Sequence, residues 1–391
     1  MSDPGAPQPP DFGNIFNDVP LFREIQRVLM TGAGPINWEL ARQVGIASAV
    51  WGKDDPAPTE SDRRGLEDTV RATELHVADL TGLTPPGEVA PVEAFRRAQW
   101  VEANIQGLKD LVEPTAVRVA EAFTKAQLDD APAEAAQSAQ GVLGQLTPLL
   151  LGAQAGVVLG QLGTRALGQY DVAVPRTGPS RLYFVMPNIA EFERDWSVSP
   201  VELRAWVALH EVTHRFEFAR GWTYGHLREL ILDFVSTLEI DVSGLRERLE
   251  RLDPSDPEAL QGMFQSEQAL FSSSDDPEQR IKLARIQAFM AAAEGYGDHV
   301  TEVLGRKLLA SYGQIEEAAA RAREDDENDT VFERLLGIEM KRERYTRGKA
   351  FCDRVVEQTD EATLARMWDS AESLPSMPEI EEPTLWLARI V

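Results

Sequence analysis

The sequence predicts a mainly α-helical protein with a small β-sheet beside one chemically distinctive helix. Three observations predict it. Apolar residues recur three and four apart through most of the 391 residues, the period of a helix with one buried face. One short apolar and aromatic run, RLYFVMPN (181–188), reads as the best strand in the chain, ended by Pro-Asn. The segment that follows, SPVELRAWVALHEVTHRFEFARG, carries its own start and stop signals. Ser199 is placed as N-cap, Pro200 at the first helical position, Glu202 as the partner in an S-x-x-E capping box and Gly221 as the C-terminal stop. A helix from about 200 to 220 is therefore predicted independently of its histidines.

The elements are placed in chain order. Residues 1–18, opening MSDPGAPQPPDFGN, are expected to be a disordered Pro/Gly-rich tail; they lack the basic and apolar regions of a signal peptide. Residues 19–130 form an N-terminal helical region with helices over PLFREIQRVLM, INWELARQVGIASAVW, SDRRGLEDTVRATELHVADLTGL and PVEAFRRAQWVEANIQGLKDLVEP. The stretch DDPAPTESD (54–62) and the Pro85–Pro86 pair punctuate them. Asp129, Asp130 and Pro132 mark the boundary of a second region, 131–391. Its first part, Ala135 to Thr164, has no charged residue. Gln145, Pro148, Gln154 and Gln161 interrupt it too often for a bilayer span, whereas Gly152, Gly156 and Gly160 at spacing four suit a core helix in close contact with another. No membrane span is predicted. Further helices are read in LRELILDFVSTLEIDVSGLRERLERL, PEQRIKLARIQAFMAAAEGYGDHVTEVLGRKLL, VFERLLGIEMKRERYTRGKAFCDRVVEQ and the terminal PTLWLARIV, with acidic loops DPSDPEAL, SSSDDPEQ and REDDENDT between them.

Composition narrows the partners. A net charge of −25 argues against nucleic acid and against an anionic membrane surface, both of which attract clustered Lys and Arg. The single cysteine, Cys352, rules out an internal disulfide and fits a cytoplasmic location; its place in a helical run predicts a buried structural thiol.

The chemistry centres on HEVTH, 210–214. The chain has five histidines, and two of them, His210 and His214, stand four apart on the predicted helix, where both can reach one ion. Glu211 leans toward the same ion without binding it. From there it can take a proton from a water polarised by a Zn2+ ion and so launch its attack on a carbonyl. Catalytic zinc takes three protein ligands and keeps one position open. AAAEGYGDHV (291–300) offers the third: Glu294, with Asp298 one turn later. A glutamate followed by an aspartate at i+4 suits a metal ligand and a group that holds a ligand histidine from behind. Gly295 and Gly297 remove side chains between them and permit close approach. Glu294 is favoured; His299 and Glu239 are the alternatives, and His226 follows the helix closely enough to be weighed with them. Tyr296 and Asp298 are further candidates to touch a ligand or the substrate. In the basic stretch KRERYTRGK (341–349), Arg344 with Tyr345 is a candidate to hold a substrate carboxylate or polarise the scissile carbonyl. The alternative there is a solvated helix face, salt-bridged to nearby acids.

HEVTH with a glutamate on a downstream helix resembles the zincin metallopeptidases of the glutamate-ligand type. INWELARQVG, LGQLGTRALGQYDVAVP, HEVTHRFEF, EGYGDHV, LLGIEMKRERYTRGKAF and PTLWLAR more closely resemble a largely uncharacterised family of bacterial zincin-like hydrolases, some members of which have been linked to deazaflavin-coenzyme biosynthesis by co-occurrence. The resemblance extends from about Pro20 to Val391. It implies a multi-helix zincin-like fold with a small β-sheet next to the HExxH helix, zinc on His210, His214 and Glu294, and Glu211 as base. The 79 residues between His214 and Glu294 exceed the spacing of simple glutamate-type zincins and make a long helical insertion in the metallohydrolase region. The expected function is a zinc-dependent hydrolase, a metallopeptidase acting on a peptide or a small-molecule amide. The alternatives are a zinc hydrolase of a non-peptide amide or ester, and a catalytically degenerate zincin serving as a binding or scaffold protein.

Overall fold

The computed structural model describes residues 34–84, 87, 91–130, 148–149, 151–170, 181–237, 239–240, 271–272, 277–324 and 342–390. The expected tail at 1–18, the helix over PLFREIQRVLM and the acidic loop DPSDPEAL lie outside these residues. Within them the chain is mainly α-helical with a small sheet, as the periodicity predicts.

Helix α1 (Trp38–Val50) starts where the Asn37 side chain accepts the Leu40 N–H at 2.9 Å. Helix α2 (Glu60–Thr81) starts with a reciprocal capping box between Thr59 and Asp62 and stops at Gly82, whose φ of 65° is left-handed. The start of the predicted helix PVEAFRRAQWVEANIQGLKDLVEP is instead strand β1 (Val92–Phe95), and the long helix α3 (Arg97–Asp130) begins only after it. Helix α4, residues 151–163, lies directly on α1. Gly152 faces Asn37, Gly156 faces Ala41 and Gly160 faces Ser48, so the glycine stripe is a helix crossing inside the protein. Among the described residues, no helix is long and apolar enough to cross a membrane.

Strand β2 (Gly168–Tyr170) and strand β3 (Leu182–Val185) complete a three-stranded sheet in the order β1-β3-β2. β3 is central and all four of its residues are buried, which is why it reads as an unbroken LYFV. β1 runs parallel to it, pairing Phe95 with Val185, and β2 antiparallel, pairing Gly168 with Phe184. The strand predicted in RLYFVMPN is present, but Met186 and Pro187 open a helix, α5 (Met186–Asp195). Proline lacks an N–H, and the first turn of a helix needs none. Asn188 then donates to the Gly163 and Ala166 carbonyls at 2.9 and 2.7 Å and accepts from Arg97. Arg97 is fully buried, and its charge is met by Glu191 at 2.9 Å. β2 is held from the other side, where the buried amides of Gln169 and Asn104 donate to each other at 2.8 and 3.0 Å.

Helix α6 (Pro200–Phe218) carries HEVTH and ends two residues before the predicted limit. Its start differs from the predicted box: Ser199 makes no side-chain cap bond. Glu202 instead accepts the backbone N–H of Ser311 at 2.7 Å and its hydroxyl as well, tying the helix start to a distant loop. Gly221 lies beyond the end in a turn without positive φ, so it is not the stop that was predicted. After α7 (Thr223–Val235) and the ribbon of β4 (Glu239–Ile240) and β5 (Phe271–Ser272) comes the long α8 (Pro277–Leu308). It packs against α6, α7 and α10 (Arg342–Gln358), with α9 (Tyr312–Glu324) between in sequence. The C-terminal segment adds α11 (Glu361–Ala365), α12 (Met377–Glu381) and α13 (Pro383–Ile390). Cys352 is fully buried in α10, and burial pushes its thiol well up, as expected of a structural cysteine.

The glycine crossing makes a stability prediction. A Cβ at Gly156 would sit 2.5 Å from the Ala41 carbonyl oxygen. Gly156→Ala is expected to lower unfolding free energy by about 1–3 kcal/mol through overpacking. Gly65→Ala, where a Cβ meets nothing within 4 Å, is expected to raise it by roughly 0.5–1 kcal/mol through helix propensity. Urea titration of both variants checks the contrast.

Candidate metal centre

α6 presents His210 and His214 on one face, as the i, i+4 spacing requires. α8 brings Glu294 to them. His210 Nε2 and His214 Nε2 are 3.0 Å apart, and the Glu294 carboxylate is 3.5 Å from the first and 3.8 Å from the second. A tetrahedral ion with ligand bonds of about 2.0–2.2 Å places its ligands about 3.3–3.6 Å apart. The three atoms therefore outline one face of such a sphere, and the donor set suits a divalent metal. The side chains of His210 and Glu294 keep 22% and 27% of their surface exposed, while His214 keeps 4%. The open side of the triangle thus faces a cleft of about 300 Å³.

The supporting groups follow from the helix periods. Glu217, three residues after His214 and fully buried, meets His214 Nδ1 at 2.8 Å. That contact favours the imidazole proton on Nδ1 and turns Nε2 toward the position that a metal would take. Burial works against charge on His214, yet Glu217 and Glu294 outweigh it and push its pKa up to about 10. Burial and His214 likewise oppose charge on His210, while Glu294 and Asp298 raise it. Carboxylates on every side make this a site that attracts a cation. Asp298 Oδ1 stands 3.7 Å from His210 Nδ1, behind that ring, where the i+4 spacing from Glu294 predicts it.

Glycine creates the room. A Cβ at Gly297 would come 3.1 Å from His214 and 3.3 Å from His210, so the imidazoles pack against bare backbone. Gly168 on β2 does the same for Glu211: a Cβ there would lie 2.7 Å from Glu211 Cγ and 2.8 Å from its Oε1. Glu211 is 7% exposed and lines the cleft with His210, Glu294 and Asp298.

Other predicted residues fall elsewhere. Tyr296 does not line the cleft; it is fully buried, with its ring edge-to-face on Trp368 at 5.7 Å. Burial, with Glu217 next in weight, raises its phenol well above the ordinary value. His299 has both ring nitrogens engaged, Nδ1 with Asp353 at 2.7 Å and Nε2 with Glu361 at 3.1 Å, and is not part of the metal set. Glu239 is in the β4 ribbon, and its side chain lies outside the description. His226 packs between Trp222 and Phe289, and burial lowers its pKa. Arg344 and Tyr345 are in the first turn of α10, and their side chains also lie outside the description. Of the same basic stretch, Arg347 pairs with Glu381 at 2.7 Å and Lys349 with Glu302 and Asp353 at 2.6 and 2.7 Å. Glu217 is the site residue that sequence reasoning missed. Its signal was an acid three residues after His214, between Phe216 and Phe218, where only a paired carboxylate can be buried.

Two predictions rest on this geometry. Glu294→Ala is expected to abolish stoichiometric zinc binding, Glu217→Gln to weaken it by about 10–100-fold, and His299→Gln to leave it unchanged; competition with a chromophoric chelator ranks the three. The second concerns pH. Burial opposes charge on His299, but Asp353 and Glu361 more than offset it and push its pKa from 6.5 up to about 9. A raised folded-state pKa stabilises fully below pH 6.5, and the contribution is lost as pH rises through about 9. Zinc-saturated protein should therefore lose roughly 3 kcal/mol from this group between pH 6 and 10. Denaturant titrations should show that loss in the wild type and not in His299→Gln.

Comparisons with known proteins bear on the family. A family model described as zincin-like metallopeptidase matches residues 36–387. A solved structure from Chloroflexus aurantiacus, that of a proposed hydrolase with a novel fold, is 31% identical in sequence; it aligns with a TM-score of 0.67 over 90% of this chain and 98% of its own. No curated protein matches. The match runs from α1 to α13 and takes in the HEVTH helix, the sheet beside it and the Glu294 helix: this chain belongs to the family of zincin-like metallopeptidases.

Proposed function

We infer that the protein is a zinc-dependent hydrolase, a metallopeptidase cutting a peptide or small-molecule amide in the cleft between β2, α6 and α8. The observation that carries this reading is the convergence of His210 Nε2, His214 Nε2 and a Glu294 oxygen at the floor of a cleft that Glu211 also lines. Zinc held there supplies Lewis acidity, polarising the scissile carbonyl and lowering the pKa of a water from about 15.7 to about 7. The protein's own groups do the rest. Glu217 fixes the tautomer of His214, and Asp298 backs His210. Glu211, 7% exposed and packed on Gly168, accepts the proton of the attacking water and returns it to the leaving amine. The buried sheet behind β2 keeps Gly168, and with it Glu211, in place.

Glu211→Gln separates metal binding from chemistry, because Glu211 is not among the ligand atoms. The variant is expected to bind zinc like the wild type and to hydrolyse a peptide library about 10²–10⁴-fold more slowly, read by mass spectrometry. Wild-type turnover by the zinc-loaded variant would contradict the reading.

A further inference from the structure

The lining of the cleft is of two chemical kinds. Glu211, Glu294 and Asp298 bring carboxylates to it, and Leu167, Trp206 and Val207 bring apolar surface. Neither lysine nor arginine is among the described residues that line it. Its volume, about 300 Å³, stands at the lower end of the roughly 300–1,000 Å³ typical of ligand sites. That is room for one substrate side chain and the bond beside it.

Trp206 is placed to choose that side chain. It is four residues before His210 on α6, so its indole lies one turn along the same helix face as the metal-facing imidazole. Trp100, Trp368 and Trp386 are almost wholly inside the core, at 2%, 1% and 0% exposure. Trp206 instead packs on the core at one side and lines the cleft at the other. An aromatic face in a small cleft gains from covering apolar surface. The carboxylates add a second filter: three acids line the cleft with neither lysine nor arginine among its described residues, which opposes an incoming anion.

We propose that Trp206 is the specificity-determining residue of this site: it receives an apolar or aromatic group next to the bond that is cut, and the carboxylates of the lining disfavour a substrate carboxylate there. This rests on the hydrolase reading above and narrows its substrate class to uncharged or cationic amides with an apolar side chain.

Binding to the full, zinc-loaded wild-type chain tests it, because hydroxamates chelate the metal and are read without turnover. Titration calorimetry compares three probes: acetohydroxamate, phenylacetohydroxamate and the monohydroxamate of succinic acid. The phenyl probe is expected to bind about tenfold or more tighter than the methyl probe, the gain from covering one aromatic ring, and the carboxylate probe weakest of all. Adding Trp206→Ala is expected to bring the phenyl-to-methyl ratio to about one with zinc content unchanged, and Trp206→Phe to keep most of it. The proposal is overturned if the ratio persists in Trp206→Ala, if the zinc-loaded protein shows no preference for the phenyl probe, or if the carboxylate probe binds as tightly as the phenyl one. In those cases the hydrolase reading stands. If no hydroxamate binds the zinc-loaded protein, both readings fall together.

Discussion

The site depends on how closely α8 approaches α6. Gly297 leaves bare backbone against both imidazoles, with space for a Cβ only at 3.1–3.3 Å from their carbons. That clearance sets the helix separation, and the separation sets the reach of Glu294. On the other flank of α8, Gly295 meets the backbone of Gly348 on α10, and Gly348 meets Ala291 in return. Two glycines two positions apart thus let α8 sit tightly between two helices. Each costs about 1 kcal/mol of helix propensity relative to alanine. The packing that they permit, of the metal site on one side and of α10 on the other, offsets that cost.

Burial makes the polar groups of α6 interdependent. Glu211, His214, Arg215 and Glu217 are 7%, 3%, 2% and 0% exposed on a helix that also buries Val207, Val212 and Phe216. A buried charge without a partner costs several kcal/mol, so each of these needs a defined neighbour. Arg215 has Glu74 of α2; His214 has Glu217; Glu211 faces the cleft. The same rule operates across α8, where His299 is clasped by Asp353 and Glu361, and Lys349 joins Asp353 to Glu302. The helix that delivers Glu294 is therefore fixed by charge pairs on its back and by glycine contacts on two flanks.

Much of this was legible in the residues. Pro200 at the first helical position, periodicity and the LYFV run placed the histidine helix, the strand before it and the glycine helix, because each of those signals is local. The spacing of Glu294 and Asp298 gave their shared face for the same reason. Helical geometry also held information that was not used: at about 100° per residue, Tyr296 is about 200° from Glu294, and His299 about 140° from it on the same side as α10. Both therefore point away from the cleft. Other features were not local. Glu202 has the spacing of a capping box, but Ser311, more than a hundred residues later, competes for its carboxylate and wins. The Pro187–Asn188 pair has the look of a strand terminator, yet Asn188 is committed to carbonyls of the α4–β2 turn, so the chain continues as helix. Gly168 gives no signal of its own, since its meaning lies in the proximity of Glu211.

The central claim is that one divalent ion is held between α6 and α8. Anomalous diffraction from crystals grown with zinc, collected on both sides of the zinc edge, tests it most directly. The account predicts one strong peak per chain within about 2.0–2.2 Å of His210 Nε2, His214 Nε2 and a Glu294 oxygen, with its remaining side open to the cleft. A peak bound by other residues, or none at that position in zinc-saturated crystals, would contradict it.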